Sequence, residues 1–358
     1  MYNKITMQIK SQDREKNTVT IEVESPHADF VKAREKVLAK AGKEIKIQGF
    51  RPGKAPKDMV ERALNPEYLD NEAAQSLIAD LYPEIIKETK IEPVDYPNVE
   101  IVEQKAGVPF VFKVKVDVYP EIKLGKYKGL KEEKIKVSVS DDDVIKVLGN
   151  LQKRFSTKKE DGTTAELPLD DEFAKKVSRH GTLAELKKEV HEGMLLDRQG
   201  RAEADVKDKL VAVVSAGAEV DIPKGMVDRE IEVMIDEFRA NLAQSGLGFE
   251  DYLKAIKKEE KTMREELRKS AQLRVKGKTV LREIAKVEEI KLTPEDIEAE
   301  FKVIAASSGE PIEELRARLK AGAQEYIEDY LYRRKALDFV LENAKITEIE
   351  PKTEEEKK

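Results

Sequence analysis

A short segment near the N-terminus carries the residues best suited to recognising another molecule. Two glycines and two prolines within eight residues exclude a regular helix or a central strand, so the segment is a loop whose shape proline restricts and glycine permits. An aromatic ring in this loop can fill an apolar recess, and the adjacent guanidinium can bind phosphate or carboxylate. The eight residues are Gly49, Phe50, Arg51, Pro52, Gly53, Lys54, Ala55 and Pro56.

The loop is basic, although the chain is acidic. Residues 43–57 contain five lysines and arginines and one acidic residue, whereas the whole chain of 358 residues has a formal net charge of −6. Because the positive charge is local, we expect a docking element for an anionic or apolar partner there. General affinity of the surface for nucleic acid is not expected.

Other chemistry is poorly represented. The chain has no cysteine, which excludes disulfides, thiol catalysis and cysteine metal sites. Its three histidines are not spaced as a metal-binding pair, and the acidic run 141–143 lacks the ligand spacing of a calcium loop. A GxG sequence at Gly246–Gly248 follows no strand and precedes no GKS or GKT. We therefore expect no catalytic residue, no cofactor and no metal.

The elements that position the loop are predicted to form an α+β N-terminal domain, residues 1–118. Strands are expected at 4–10 and 18–24, since Val19, Ile21 and Val23 alternate with polar residues, and again at 98–104 and 109–118. Ser25 and Pro26 predict the N-cap and first position of a helix. The docking loop lies between two helices of this domain.

The rest of the chain is predicted to be an extended linker and a helical domain. Residues 119–168 form the linker, with one helix from about Ser140 to Phe155, and 169–350 form an extended, mostly α-helical domain with long, arm-like helices. Thr182 and Glu185 predict a capping box at the start of one of them. Charged residues make up 39% of the chain and aromatic residues 6%, as suits helices with much solvated surface. Residues 351–358 are expected to be a disordered, charged tail.

The loop has the pattern Gly-Phe-Arg-x-Gly-x-x-Pro, which resembles the ribosome-docking segment of bacterial trigger factor. The resemblance continues through Asn65–Tyr68 to the strand region 109–120, and returns at Leu169–Val177, where that family enters its C-terminal helical domain. It implies an ATP-independent chaperone that docks at the ribosomal tunnel exit and shields nascent chains with a helical cradle. The implied partners are a protein and ribosomal RNA of the large subunit, and unfolded or nascent polypeptides. The implied ribosome-binding residues are Gly49, Phe50, Arg51, Pro52, Gly53 and Lys54.

This chain departs from the family at one place. Typical members carry a prolyl-isomerase domain, similar to the FK506-binding proteins, in the linker. Only residues 156–166 stand at its expected position, and five strands with a helix and their connections require well over about 50 residues. We therefore expect no enzymatic activity from this domain.

The substrate-binding surface is less well marked in the sequence. Flexible methionine side chains suit surfaces that contact varied apolar partners, although for each residue taken singly filling a gap in a core is the better interpretation. The candidate residues are Met194, Met226, Met234, Phe238 and Met263.

Two other functions remain open: a helical scaffold or adaptor with one dedicated protein partner, and residual prolyl isomerisation. No segment approaches 18 consecutive apolar residues, and the N-terminus has no signal-peptide pattern. We therefore expect a cytoplasmic protein without a membrane partner. A homodimer is left open.

Overall fold

The computed structural model divides the chain into two compact units, each built from stretches that are distant in sequence. The first unit is Met1–Lys123 with Val220–Lys276, and the second is Leu124–Glu219 with Gly277–Lys358. The residues that the structure describes are 7–45, 47–48, 50, 54, 56–155, 157–158, 164–165, 168–318 and 323–350.

Helices dominate the described residues, with strands concentrated near the N-terminus. The helices are α1 His27–Glu44, α2 Lys57–Ala63, α3 Pro66–Thr89, α4 Asp141–Phe155, α5 Asp171–Val177, α6 Leu183–Gly217, α7 Lys224–Gln244, α8 Phe249–Ile256, α9 Glu260–Val287, α10 Pro294–Ser308, α11 Ile312–Arg318 and α12 Ala323–Glu342. The strands are β1 Gln8–Glu15, β2 Thr18–Ser25, β3 Asn98–Glu103, β4 Phe110–Asp117, β5 Ile122–Lys123, β6 Lys131–Ile135, β7 Thr157–Lys158, β8 Thr164–Ala165, β9 Glu219–Val220 and β10 Lys345–Ile349. The predicted class, an α+β N-terminal part followed by a mostly helical part with long helices, is confirmed.

An antiparallel sheet with the order β1-β2-β4-β3 forms the core of the first unit. The alternation of β2 buries Val19, Ile21 and Val23, as predicted, and Ile21 and Val23 pair with Val114 and Phe112 of β4. Four of the helix α3 residues that pack on this sheet recur at four-residue intervals, and they are fully or almost fully buried: Ala73, Leu77, Leu81 and Ile85.

Two local expectations near the N-terminus were wrong. The first strand continues to Glu15 instead of ending at residue 10, because β1 lies at the edge of the sheet and tolerates polar side chains that face solvent. Ser25 is not the cap of α1. It is the last residue of β2 and is buried, while Pro26 occupies the N-cap position and makes no side-chain cap hydrogen bond.

Segment 125–136 of the second unit, expected to be part of an extended linker, is held along its length. Strand β6 pairs in parallel with β10, from Lys131 opposite Lys345 to Ile135 opposite Ile349. Before the strand, the Tyr127 hydroxyl donates to Glu288, 2.6 Å away, and this hydrogen bond with a carboxylate raises the pKa of Tyr127 to about 12. The segment is therefore an integral part of the second unit.

Helix α6 begins as the sequence predicts. The Thr182 hydroxyl accepts a hydrogen bond from the Glu185 amide, and the Glu185 carboxylate accepts one from the Thr182 amide, which completes a capping box. The helix then continues through Gly200 to Gly217, a length of about 50 Å.

Candidate functional site

The docking loop connects helices α1 and α2, which pack against each other. Helix α1 ends at Glu44 and α2 begins at Lys57, so the loop occupies residues 45–56. An apolar cluster, here the loop-base cluster, joins the end of α1, the first loop residues, α2 and the start of α3. It consists of buried Leu38, Val60 and Leu69, with partly buried Val37, Ile45, Ile47 and Leu64 around them. The loop therefore leaves and re-enters the fold from fixed positions.

Close helix packing and an ion-pair network stiffen this base. Gly42 of α1 lies so near α2 that a Cβ atom on it would lie 3.4 Å from a methyl group of Val60. Arg34 of α1 donates to Glu61 of α2 and to Asp70 of α3, each at 2.6 Å. The hydrogen bond to Asp70, with a smaller contribution from Glu61, raises the pKa of Arg34. One guanidinium thus connects the three helices that support the loop.

The aromatic ring of the loop is accessible to a partner. Phe50 is 39% exposed, and its amide donates to the carbonyl of Ile47, a member of the loop-base cluster, at 3.1 Å. Lys54 is exposed as well. The other four residues predicted to form the site, Gly49, Arg51, Pro52 and Gly53, lie outside the described residues.

Three lysines around the loop have no ion-pair partner among the residues that the structure describes. Lys43, Lys54 and Lys57 are exposed, and none of them forms an ion pair with a residue that the structure describes. On the same helix α1, further from the loop, Lys32 and Lys36 pair with Asp29 and Asp80. Positive charge near the loop is therefore available to an anionic partner.

The five candidate substrate-binding residues are all half-buried. Met194 packs against the cluster formed by α4, α5 and α6, and Met234 packs against the cluster of α7 and α9. Phe238 meets Tyr252 and Phe249 edge-on, with ring centroids 5.0 Å and 6.3 Å away. The five are divided between the two units: Met194 lies in the second unit and the other four in the first.

Several apolar side chains are more exposed than any of these candidates. Leu196 on α6 is 72% exposed, Tyr326 on α12 is 71% exposed, and Val303 on α10 is 59% exposed. Leu196 and Val303 fall outside the apolar stripes of their helices. Departure from helical periodicity is therefore the sequence signal that could have identified them.

No metal centre is formed within the described ranges, since no group of three or more histidine, aspartate or glutamate side chains is placed to hold an ion. Buried carboxylates have structural partners instead: Glu300 accepts a hydrogen bond from Arg334 at 2.5 Å, and Glu230 lies 3.1 Å from Arg274. Among the same residues, no helix is both long enough and apolar enough to cross a membrane.

Comparison with known proteins identifies the family. The family model described as bacterial trigger factor protein matches residues 7–151, and the model described as the trigger factor C-terminus matches residues 182–342. The trigger factor of Acetivibrio thermocellus is 30% identical over 427 residues, which covers 95% of this chain and 100% of the relative. The chain belongs to the trigger factor family. The trigger factor of Caldicellulosiruptor saccharolyticus is 29% identical, over 97% of this chain and 99% of the relative.

A solved structure shares the fold. It comes from work on promiscuous substrate recognition in the folding and assembly activities of the trigger factor chaperone. The TM-score is 0.54 at 18% identity, and the match covers 94% of this chain and 99% of the other. The structural similarity shows a shared fold, and family membership supports a chaperone role.

The prolyl-isomerase domain is absent from this member of the family. The two family matches end at residue 151 and resume at residue 182. The alignment with the A. thermocellus relative runs over 427 positions, more than the 358 residues of this chain, so the relative has residues that this chain lacks. The resemblance in sequence and its predicted departure from the family pattern are both confirmed.

Proposed function

We propose that this protein is an ATP-independent chaperone that docks at the ribosomal tunnel exit and shields nascent polypeptides. The observation that carries the proposal is the exposure of Phe50, whose amide is bonded to Ile47 of the loop-base cluster, together with exposed lysines of the loop region that have no ion-pair partner among the described residues. A rigid base reduces the conformational entropy that the loop loses on binding, and an exposed ring can enter an apolar recess. Family membership supports the same role.

The loop residues have distinct proposed roles. Arg51 and Lys54 bind ribosomal RNA phosphate or an acidic side chain of a tunnel-exit protein, and Phe50 fills an apolar recess. Gly49, Pro52 and Gly53 hold the loop in shape. Because few phosphates are neutralised, we expect a modest dependence of ribosome binding on salt concentration.

The helical part is the proposed binding surface for unfolded chains. Exposed Leu196, Val303 and Tyr326 of the second unit offer apolar contacts at the surface. Met194 of the second unit and Met234 of the first offer adaptable contacts. The sequence has no nucleotide-binding motif, which supports action without ATP. Because the isomerase domain is absent, we also propose that the protein does not catalyse prolyl isomerisation. Because the ribosomal tunnel exit lies in the cytoplasm, we propose that the protein acts there.

Ribosome co-sedimentation tests the docking role. Replacing Phe50, Arg51 and Pro52 together with alanine removes the ring, the guanidinium and the proline restraint, and we expect co-sedimentation to fall strongly. Tyr96→Ala is the matched control, since Tyr96 is an 89% exposed aromatic residue of the same unit but lies outside the loop. Unchanged co-sedimentation of the triple variant, or an equal loss in the control, would refute docking through this loop.

A further inference from the structure

Two parts of the first unit that are distant in sequence meet where helix α7 begins. The side-chain amide of Asn17, in the turn between β1 and β2, donates to the Asp221 carbonyl at 2.5 Å. The Lys16 ammonium in the same turn lies 3.8 Å from the Asp221 carboxylate. Both contacts join the N-terminal sheet to the residues just before α7.

A third contact comes from the loop that follows α3. The Asp95 carboxylate lies directly over Gly225, in the first turn of α7: a Cβ atom on Gly225 would lie 2.2 Å from Asp95 Oδ2 and 2.8 Å from its Cγ. Helix α7 has no acidic residue in its own first turn and no side-chain cap, so Asp95 supplies negative charge at the positive end of the helix dipole. Only glycine permits this approach.

The contacts on the N-terminal side come from a single end of the sheet. The Val94 amide donates to Asp117 at the end of β4, at 2.8 Å, which holds the loop that carries Asp95. The Val118 amide donates to the Asn17 carbonyl at 2.7 Å, which holds the β1–β2 turn at the same place. The loop that carries Asp95 and the β1–β2 turn are therefore held at the same end of the sheet, and the start of α7 contacts both.

This meeting point is polar and loosely filled. A solvent-open pocket of about 520 Å³ lies between the β1–β2 turn, Asp117 and residues 221–224. Exposed hydrogen bonds and ion pairs each contribute little to stability. Such weak contacts can break and re-form while the protein stays folded. The sheet core and the α7–α9 cluster are each held together by their own apolar packing.

We propose that Lys16, Asn17, Asp95, Asp221 and Gly225 form a polar latch that holds the start of α7 against the N-terminal sheet. The latch opens while the sheet and the α7–α9 cluster remain folded, and high salt favours the open form because part of the attraction is between exposed charges. Gly225 is the residue that permits closure. The latch does not depend on the proposed function and goes beyond it.

Hydrogen exchange on Gly225→Ala tests the latch. The new methyl group collides with the Asp95 carboxylate, and we expect exchange in segments 91–97, 16–18 and 220–226 to rise about tenfold. Asp95→Ala in the same chain removes the colliding atoms and should restore most of the protection lost. Gly193→Ala is the control, because Gly193 lies within helix α6 with open space around it.

Asn17→Ala and salt provide an independent test. Loss of the amide donor should speed exchange in the same segments about fivefold, and raising the salt concentration on the unmutated protein should act in the same direction. Faster exchange confined to these segments supports the latch. Unchanged exchange in both variants, or a Gly225→Ala effect that Asp95→Ala does not relieve, overturns it. If Gly225→Ala does not fold, the response of Asn17→Ala and of the unmutated protein to salt decides.

Discussion

At the scale of single residues, the phenylalanines of the N-terminal part divide into two groups with different roles. Phe30, Phe110 and Phe112 are buried, and their rings contact one another, with centroid distances of 5.3 Å and 5.4 Å along the series. Phe50 stands apart from them with its ring partly in solvent. The first group stabilises the sheet, whereas Phe50 contributes little to the core and is free to meet a partner.

This division predicts effects of very different size on stability from two equivalent substitutions. Phe112→Ala empties a fully buried position, and we expect the free energy of unfolding to fall by about 3–5 kcal/mol. Phe50→Ala should lower it by less than about 1 kcal/mol, because the ring is already partly hydrated. Urea denaturation of both variants measures the difference. A cost for Phe50→Ala close to that of Phe112→Ala would show that the ring belongs to the core.

At the scale of elements, the start of α10 shows how local sequence and distant contact combine. The Thr293 hydroxyl accepts from the Asp296 amide, and the Asp296 carboxylate accepts from the Thr293 amide, as the Thr-Pro-Glu-Asp sequence indicates. Lys335 of α12 donates to the same carboxylate at 2.5 Å. The hydrogen bond from Lys335, followed by that from the Thr293 backbone, lowers the pKa of Asp296 to about 2.

A pH-dependent stability difference follows for Asp296→Asn. The folded pKa, about 2, is below the ordinary value of 3.8, so the ionised carboxylate stabilises the fold above pH 4. We expect the variant to be less stable than the unmutated protein at pH 6, and the difference to shrink as the pH falls from about 4 towards 2. Urea denaturation at a series of pH values measures it. Glu295→Gln, in the same helical turn, is the control and should change stability by only a few tenths of a kcal/mol.

The elements that sequence predicts well are those whose signal is local. Period-two alternation identified β2, and the capping box identified the start of α6. The pairing of β6 with β10 escaped prediction because it joins residues 131–135 to 345–349, and neither strand alone carries a pattern that names its partner. Likewise, the sequence predicts that Phe50 lies in a loop, but it cannot show that the ring is exposed.

At the scale of the whole molecule, the chaperone and adaptor roles differ in whether the exposed apolar side chains bind many clients or one partner. A dedicated adaptor buries a specific apolar patch against a single complementary surface, whereas a chaperone needs apolar contacts that accept different sequences. The exposed residues Leu196, Val303 and Tyr326 lie on three different helices and are not part of the buried core. This distribution favours contact with varied, unfolded chains.

Light scattering with two unrelated unfolded clients decides between these roles. We expect the protein to slow the aggregation of both clients. The double variant Leu196→Ser with Val303→Ser should slow both less well, because serine side chains offer less apolar surface to bury against a client. Tyr96→Ala, an exposed substitution in the other unit, should retain full activity and so controls for general surface change. If the protein suppresses the aggregation of neither client, the adaptor role is favoured, because an adaptor binds only its dedicated partner.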